Sequence, residues 1–140
     1  MKTKFNAGTF NEVILNKISP PNCDLTLQIK PISAGEGISK GIWQIDDRLS
    51  NGIGVTMGGF LTAAADTMMA YAIASVLEPE QIFVSIDIHT TFHRPVLQGV
   101  AEVEAKVERK GKRTAYLTAE ITQNGKSCCS CVSTIMIMDN

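Results

Sequence analysis

Hydrophobic and polar positions alternate through most of the second half of the chain. Val84, Ile86 and Ile88 alternate with Ser85, Asp87 and His89. Ala101, Val103, Ala105 and Val107 alternate with Glu102, Glu104, Lys106 and Glu108, and Ala115, Leu117, Ala119 and Ile121 alternate with Tyr116, Thr118 and Glu120. A period of two over such lengths predicts strands with one apolar face each. A last strand is expected from about Ser127 to Met138, after the Asn124-Gly125 turn. Turns at Arg94-Pro95, Lys110-Gly111 and Asn124-Gly125 mark these strands as consecutive antiparallel neighbours. Earlier, Asp24 to Lys30 alternates with Leu25, Leu27 and Ile29 on one side, and a further strand is expected over Ile38 to Leu49 after Gly35-Glu36-Gly37.

Two stretches break the alternation. Thr9 and Glu12 have the spacing of a capping box, with Val13, Ile14 and Ile18 following at helical intervals. They predict a short helix over about 9–18, ended by Pro20-Pro21. A longer helix is expected from Gly58 to about Leu77, where Glu78-Pro79-Glu80 stops it. That helix is apolar on every side apart from Asp66, and such a helix is normally buried. One buried helix with five or six one-faced strands makes an α+β fold, a single antiparallel sheet wrapped around the helix. No repeat or linker divides residues 1–140, so one domain is expected. An open sheet leaves two edges, which favours dimerisation by edge pairing.

Composition narrows the function. With 140 residues and 44% hydrophobic content the chain supports a single core. A charged fraction of 19% and a net charge of −1 exclude binding to nucleic acid through bulk charge. The apolar run from Phe60 to Leu77 is interrupted by Asp66 and too short on either side to span a bilayer. No basic segment followed by an apolar one opens the sequence, so a cytoplasmic location is expected. Cys23, Cys128, Cys129 and Cys131 match no zinc spacing and read as small, buried or half-buried strand residues in a reducing compartment. His89 and His93 lie across a strand end rather than on one helical face, so no metal site is expected. Gly52-x-Gly54-x-x-x-Gly58 lacks the βαβ unit that a nucleotide-binding loop requires.

The chemistry concentrates in Asn51 to Asp66. A glycine-rich loop ends in Gly58-Gly59 at a helix start, where free backbone N–H groups favour developing negative charge. An ionised carboxylate in an apolar helix costs several kcal/mol, roughly, unless it has a partner or a task. An acid held near an oxyanion-binding turn suggests acyl chemistry.

These residues resemble the hotdog-fold acyl-CoA thioesterases, in the small phenylacetate-pathway and 4-hydroxybenzoyl-CoA thioesterase-like branch. The resemblance covers roughly Gly41 to Met138. It is carried by Asn51-x-x-Gly54-x-x-Met57-Gly58-Gly59, with Asp66 at the family's offset for its acid. A second match is Val84-Ser85-Ile86-Asp87, leading through Thr91-Phe92 to Arg94-Pro95 and Gly99. The resemblance implies a hotdog fold and hydrolysis of an acyl- or aroyl-CoA to free acid and CoA. It implies no cofactor or metal, coenzyme A entering only as part of the substrate. It implies a homodimer, with dimers often paired into tetramers, and active sites between subunits.

Asp66 is implied as nucleophile or general base, and the sequence leaves both routes open. The Gly58 N–H is implied to polarise the thioester carbonyl, although Gly58 and Gly59 also suit close helix–sheet approach. Asn51 would face the reacting centre, unless it is only a turn residue. Ser85 would donate to Asp66 of the neighbouring subunit. Thr62, one turn before Asp66, either donates to it or bonds back to its own backbone. Phe60, Met68 and Met69 would line the acyl pocket, or are plain core. Arg109, Lys112 and Arg113 around Gly111 are either a solvated hairpin turn or the ligands of the coenzyme A phosphates. Met57 stands where the family has histidine, and methionine cannot hydrogen-bond as histidine does. The alternative is therefore a hotdog protein that binds acyl-CoA without hydrolysing it.

Overall fold

The computed structural model describes residues 4–140. Six strands form one antiparallel sheet: β1 (Ile29–Gly35), β2 (Ile38–Ile45), β3 (Ile82–Phe92), β4 (Gly99–Lys110), β5 (Thr114–Gln123) and β6 (Lys126–Met138). Their order across the sheet is β1-β2-β4-β5-β6-β3. The sheet curls around one long helix, α3 (Gly58–Ala74), and two short helices, α1 (Ala7–Ile14) and α2 (Asn22–Leu27), close the end beside it. This is the sheet wrapped around one helix that the pattern of one-faced strands predicts, and the hotdog fold that the resemblance implies.

The inward face of α3 carries Leu61, Ala64, Ala65, Met68, Met69 and Ala72, spaced three and four apart, and all are buried. It packs mainly on β4, β2 and β5. Alanines on both sides, such as Ala101, Ala105 and Ala119 in the strands, let the helix approach the sheet closely. The same closeness dictates Gly41 in β2, where a Cβ would lie 2.6 Å from the Met68 sulfur. Ser39 Oγ donates to the Met68 carbonyl at 2.6 Å, and buried Trp43 donates to the Leu27 carbonyl at 2.9 Å. Each buried polar group thereby finds a partner.

Four expectations need correction. The span read as a strand at 24–30 is helix α2 through Leu27; only Ile29 and Lys30 belong to β1. Three alternating apolar residues also fit one helical turn and a half, Asp24 favours the first turn, and Leu25 is exposed. The capping box of α1 is built on Asn6 and Thr9 rather than Thr9 and Glu12, so the helix covers 7–14. β2 ends at Ile45, where the Asp46 carboxylate accepts the Arg48 N–H and starts a short 3₁₀ turn, Asp47–Leu49.

The fourth correction is topological. Strands β4, β5 and β6 are sequential neighbours, but β3 pairs with β6 at the sheet edge, so Arg94-Pro95 does not join adjacent strands. The link from Phe92 to Gly99 instead crosses the end of the sheet. It is tied there by His93 and Arg94 N–H groups on the Cys128 carbonyl, and by the Thr56 N–H on the Val96 carbonyl. Cys128, Cys129 and Cys131 are buried on β6 as expected, whereas Cys23 is an exposed residue of α2. Among the described residues no helix is long and apolar enough to cross a membrane.

Candidate active site

α3 runs antiparallel to β3, and three contacts fix the pair. At its start, a Cβ on Gly58 would lie 2.7 Å from the tip of the Phe92 ring, so glycine lets the ring lie against the helix start. One turn on, Thr62 and Thr90 share a hydroxyl–hydroxyl bond of 2.7 Å. A further turn on, Ser85 Oγ donates to Asp66 Oδ1 at 3.0 Å. The bond closes within one chain, which corrects the expectation that Ser85 meets the acid of a neighbouring subunit. Thr62 does not reach Asp66; it bonds to Thr90 and back to the Gly58 carbonyl, at 3.4 Å.

The geometry of Ser85 depends on a bulge. Pairing with β6 slips between Ser85 and Asp87, leaving Ile86 53% exposed. Asp87 pins the bulge: its carbonyl accepts the Ser133 hydroxyl at 2.7 Å and its carboxylate accepts the Thr134 N–H at 3.0 Å. Ser85 is thereby turned toward α3. β3 has a partner on one side only, and Val84, Ile86 and Phe92 along it are exposed.

Asp66 is exposed, contrary to the reading of α3 as buried all round. The outward face of the helix is made of Gly59, Thr62, Ala63, Asp66, Thr67 and Ala70, small or polar residues that are half-buried or exposed in a single chain. Met68 and Met69 are wholly buried and belong to the core, so they do not line the acid's cleft. Phe60 is half-buried against the same core.

The loop before α3 is braced from inside. Asn51 Oδ1 accepts N–H groups from Ile53 and Val55 at 3.0 and 3.2 Å, and the Asn51 N–H donates to the Val55 carbonyl. Gly54 adopts φ +86, which only glycine takes without strain. The Asn51 carbonyl oxygen thus holds the turn, and its amide NH2 remains as a donor. The Met57 N–H is spent on the Leu49 carbonyl, and the Met57 side chain caps nothing and is 46% exposed. As the first helical residue, Gly58 has an N–H with no intrahelical acceptor.

Donor and acid therefore open into different hollows. Asn51 and Gly58 border a cleft of about 420 Å³ with Val55, Leu61, Phe92 and Arg94. Asp66 and Ser85 border another of about 320 Å³, walled by Phe5, Phe10, Phe83 and Val84. Eight residues of helix separate Gly58 from Asp66, roughly 12 Å at the usual rise. Arg109, Lys112 and Arg113 sit at the β4–β5 turn, away from both hollows. The Arg113 carbonyl accepts the Ile137 N–H, and Ile137 pairs with Phe83, so this basic turn lies at the Ser85 end of the sheet.

One feature of the second cleft had no signal in the sequence pattern. Asp24, only 1% exposed, accepts the Tyr71 hydroxyl at 2.6 Å and, weakly, the Cys23 thiol at 3.5 Å. Burial pushes the Asp24 carboxyl above its ordinary range, against the opposing pull of those two donors. Burial and the adjacent carboxylate likewise push the Tyr71 hydroxyl well up. Forty-seven residues separate the pair, and Asp24 fell in a span read as a strand.

A model of the thioesterase superfamily matches residues 53–130, more than half of the chain and both halves of this geometry. The proofreading thioesterase EntH of Klebsiella pneumoniae is 26% identical over 96 residues, which cover 68% of this chain and 70% of that protein. Among solved structures, the E. coli PaaI protein from the phenylacetic acid degradation operon superposes with a TM-score of 0.76 at 29% identity, over 82% of this chain and 87% of that one. A thioesterase from Haemophilus influenzae superposes with a TM-score of 0.79 at 25% identity, over 99% of this chain and 94% of that one. With the glycine-rich helix start and the helix acid both inside the matched segment, the chain belongs to the thioesterase superfamily, as a hotdog-fold thioester hydrolase.

Proposed function

We propose that the chain hydrolyses acyl-CoA thioesters to a free acid and CoA, at a site completed by a second copy. The observation that carries this reading is the separation of Asp66 from the Gly58 N–H within one chain, with both placed along the open edge strand β3. Because α3 is antiparallel to β3, a two-fold axis across the middle of β3 brings the Asp66–Ser85 pair of one chain opposite the Gly58 end of the other. Such an isologous contact continues the sheet and covers Val84, Ile86 and Phe92. Each dimer then has two sites, each with an acid from one chain and oxyanion donors from its mate. This assignment replaces a site divided between Asp66 and Ser85.

In that site the Gly58 N–H and the free Asn51 amide hold the thioester carbonyl and the negative charge that grows on it. Asp66, oriented by Ser85, takes a proton from an attacking water or attacks the carbonyl itself. The C–S bond breaks as the tetrahedral centre collapses, and the CoA thiolate leaves with a proton. When Asp66 itself attacks, the collapse leaves an anhydride between Asp66 and the acyl group, which a water molecule then hydrolyses; either route consumes one water and releases free acid and CoA without a redox step. We assign the phosphates of coenzyme A to Arg109, Lys112 and Arg113, whose side chains suit multiple negative charges. No membrane or nucleic acid partner is involved, and the reaction is expected in the cytoplasm.

A second reading rests on Met57, whose side chain makes no hydrogen bond where the family's histidine would stand. On it the chain binds acyl-CoA without turnover. Thiol release from short, medium, long and aromatic acyl-CoAs, compared with Asp66→Ala, decides between the two. Release that falls by about a hundredfold or more in the variant supports hydrolysis by Asp66. Binding without release by the wild type supports the second reading.

A further inference from the structure

Three contacts tie α3 to β3: Phe92 against Gly58, Thr90 with Thr62, and Ser85 with Asp66. A regular strand cannot make all three. Its side chains alternate between faces, so a strand that points Thr90 and Phe92 toward the helix points Ser85 away from it. The extra residue at Ile86 reverses the alternation. From Ser85 to Thr90 β3 takes five steps, while β6 takes four from Ile135 to Cys131.

The apolar pattern of the strand favours a register that is not adopted. If the ladder ran on regularly from the Asp87–Thr134 pair, Ile86 would pair with Ile135, Ser85 with Met136 and Val84 with Ile137. Ile135 and Ile137 are buried and Met136 is exposed, so that register buries Val84 and Ile86 and turns Ser85 outward. In exchange it turns out the half-buried Phe83 ring, which lies 5.4 Å from the Phe10 ring. The observed register instead leaves Val84 48% and Ile86 53% exposed. Packing within the chain thus offers two registers rather than one, and something else must choose between them.

We propose that Asp87 makes that choice and is a positioning residue for the hydrolysis: it holds β3 in the bulged register and so keeps Ser85 on Asp66. This rests on the reading of Asp66 as the acid of a thioesterase. Both Asp87 bonds lie at the slip. The Thr134 N–H, which points at β3, donates to the Asp87 carboxylate at 3.0 Å, and the Asp87 carbonyl accepts the Ser133 hydroxyl at 2.7 Å. A regular antiparallel pair would join that N–H to that carbonyl, so the two bonds compete with regular pairing at the residue where the registers diverge. The ionised carboxylate is the stronger acceptor. The other carboxylate oxygen lies 4.0 Å from the exposed His89 imidazole, a surface pair that adds little.

The test compares Asp87→Ala, Asp87→Asn and Ser133→Ala by thiol release and by cross-strand contacts in NMR spectra. Asp87→Ala should lower kcat about tenfold with KM unchanged, the size of loss expected when Ser85 no longer bonds to the acid. In a Ser85→Ala background it should cost nothing further, because it acts through that residue. Asp87→Asn keeps an acceptor oxygen for the Thr134 N–H and should restore most of kcat. The NMR contacts should place Ser85 beside Ile135 in the wild type and beside Met136 in Asp87→Ala. A merely structural role predicts a lower Tm with kcat and the Ser85–Ile135 contact intact, and that result overturns the proposal. A loss that persists in full without Ser85 overturns it too. Ser133→Ala removes the second bond and should lower kcat by about twofold or more. If Asp87→Ala does not fold, an unchanged kcat in Ser133→Ala overturns the proposal.

The register itself separates this role from the hydrolytic reading. A wild type without turnover overturns hydrolysis, and a shifted register in Asp87→Ala then still upholds Asp87 as the residue that aims Ser85. Wild-type turnover with no shift of register in the variant overturns the Asp87 role alone.

Discussion

Ser85→Ala is the sharpest test of the acid's geometry. Ser85 makes one side-chain contact, the 3.0 Å bond to Asp66 Oδ1, and its Cβ stays in the variant. The bulge that aims it is held by Asp87, Ser133 and Thr134, none of which is touched. The fold should therefore be indifferent, with a stability change within about 0.5 kcal/mol, as for most surface substitutions. The reaction should not be. A hydrogen bond to a charged group is worth about 1.5–3 kcal/mol, and because Asp66 is exposed in the single chain the low end applies. About 1.5 kcal/mol corresponds to roughly a tenfold loss in kcat/KM, at about 1.4 kcal/mol per decade.

The decisive assay is a double-mutant cycle on thiol release. If Ser85 acts only by orienting Asp66, removing it from an Asp66→Ala background should cost nothing further. The double variant then matches Asp66→Ala alone, giving a coupling equal to the whole Ser85 effect. Independent contributions would instead multiply. Full additivity, or a loss below twofold in the single Ser85 variant, refutes the orienting role. The dimer content of each variant, measured by light scattering, should equal that of the wild type.

Other predictions bear on the rest of the site. Gly58→Ala puts a methyl 2.7 Å from the tip of the half-exposed Phe92 ring, which must swing out, so stability should fall by only about 1 kcal/mol while the displaced ring lowers kcat at least tenfold; thermal melts and turnover check both. Val84→Lys places a charge on the open side of β3 and should leave monomers that melt cooperatively but release no thiol, as seen by light scattering and activity. An active monomer would refute completion of the site by a second copy. Stability should also report the Asp24 titration. Because the folded carboxyl is raised, its contribution is fully present below the ordinary carboxylate value of about 3.9 and is lost as pH rises through the folded value. The Tm of the wild type minus that of Asp24→Asn should therefore grow as pH falls from 7 toward 4.5, and a difference that shrinks over that range contradicts the raised carboxyl.

What was legible in the sequence was local. Strands β3, β4 and β5 show themselves because they alternate over six, eight and seven residues, and Gly58-Gly59 marks the helix start by its chemistry. What was not legible is pairing across long separations. Nothing in Val84 to His89 distinguishes a strand beside β4 from one beside β6, because both placements bury the same alternate residues. The same ignorance misplaced Ser85, whose partner depends on which edge β3 occupies and on the bulge at Ile86. Asp24 was hidden because three apolar residues at every second position fit a short helix as well as a strand, and its partner Tyr71 lies beyond the β1–β2 hairpin and the 3₁₀ turn.

The helix α3 was misread for a different reason, and the error is informative. Its hydrophobicity does extend all round, yet the sheet covers only the face of Leu61, Ala65, Met68 and Ala72. Gly59 and Ala70 on the other face are small and apolar without being core, and Asp66 lies among them. The neighbouring edge of β3 repeats the mismatch, with Val84, Ile86 and Phe92 exposed on a strand that has one partner. A chain that functioned alone would gain from polar residues at these positions. The misread helix face and the unpaired strand adjoin each other along the line from Gly58 to Ser85, the line across which the acid and the oxyanion donor are separated. On the proposed function, a second copy would bury that surface and, in the same contact, bring the two halves of the chemistry together.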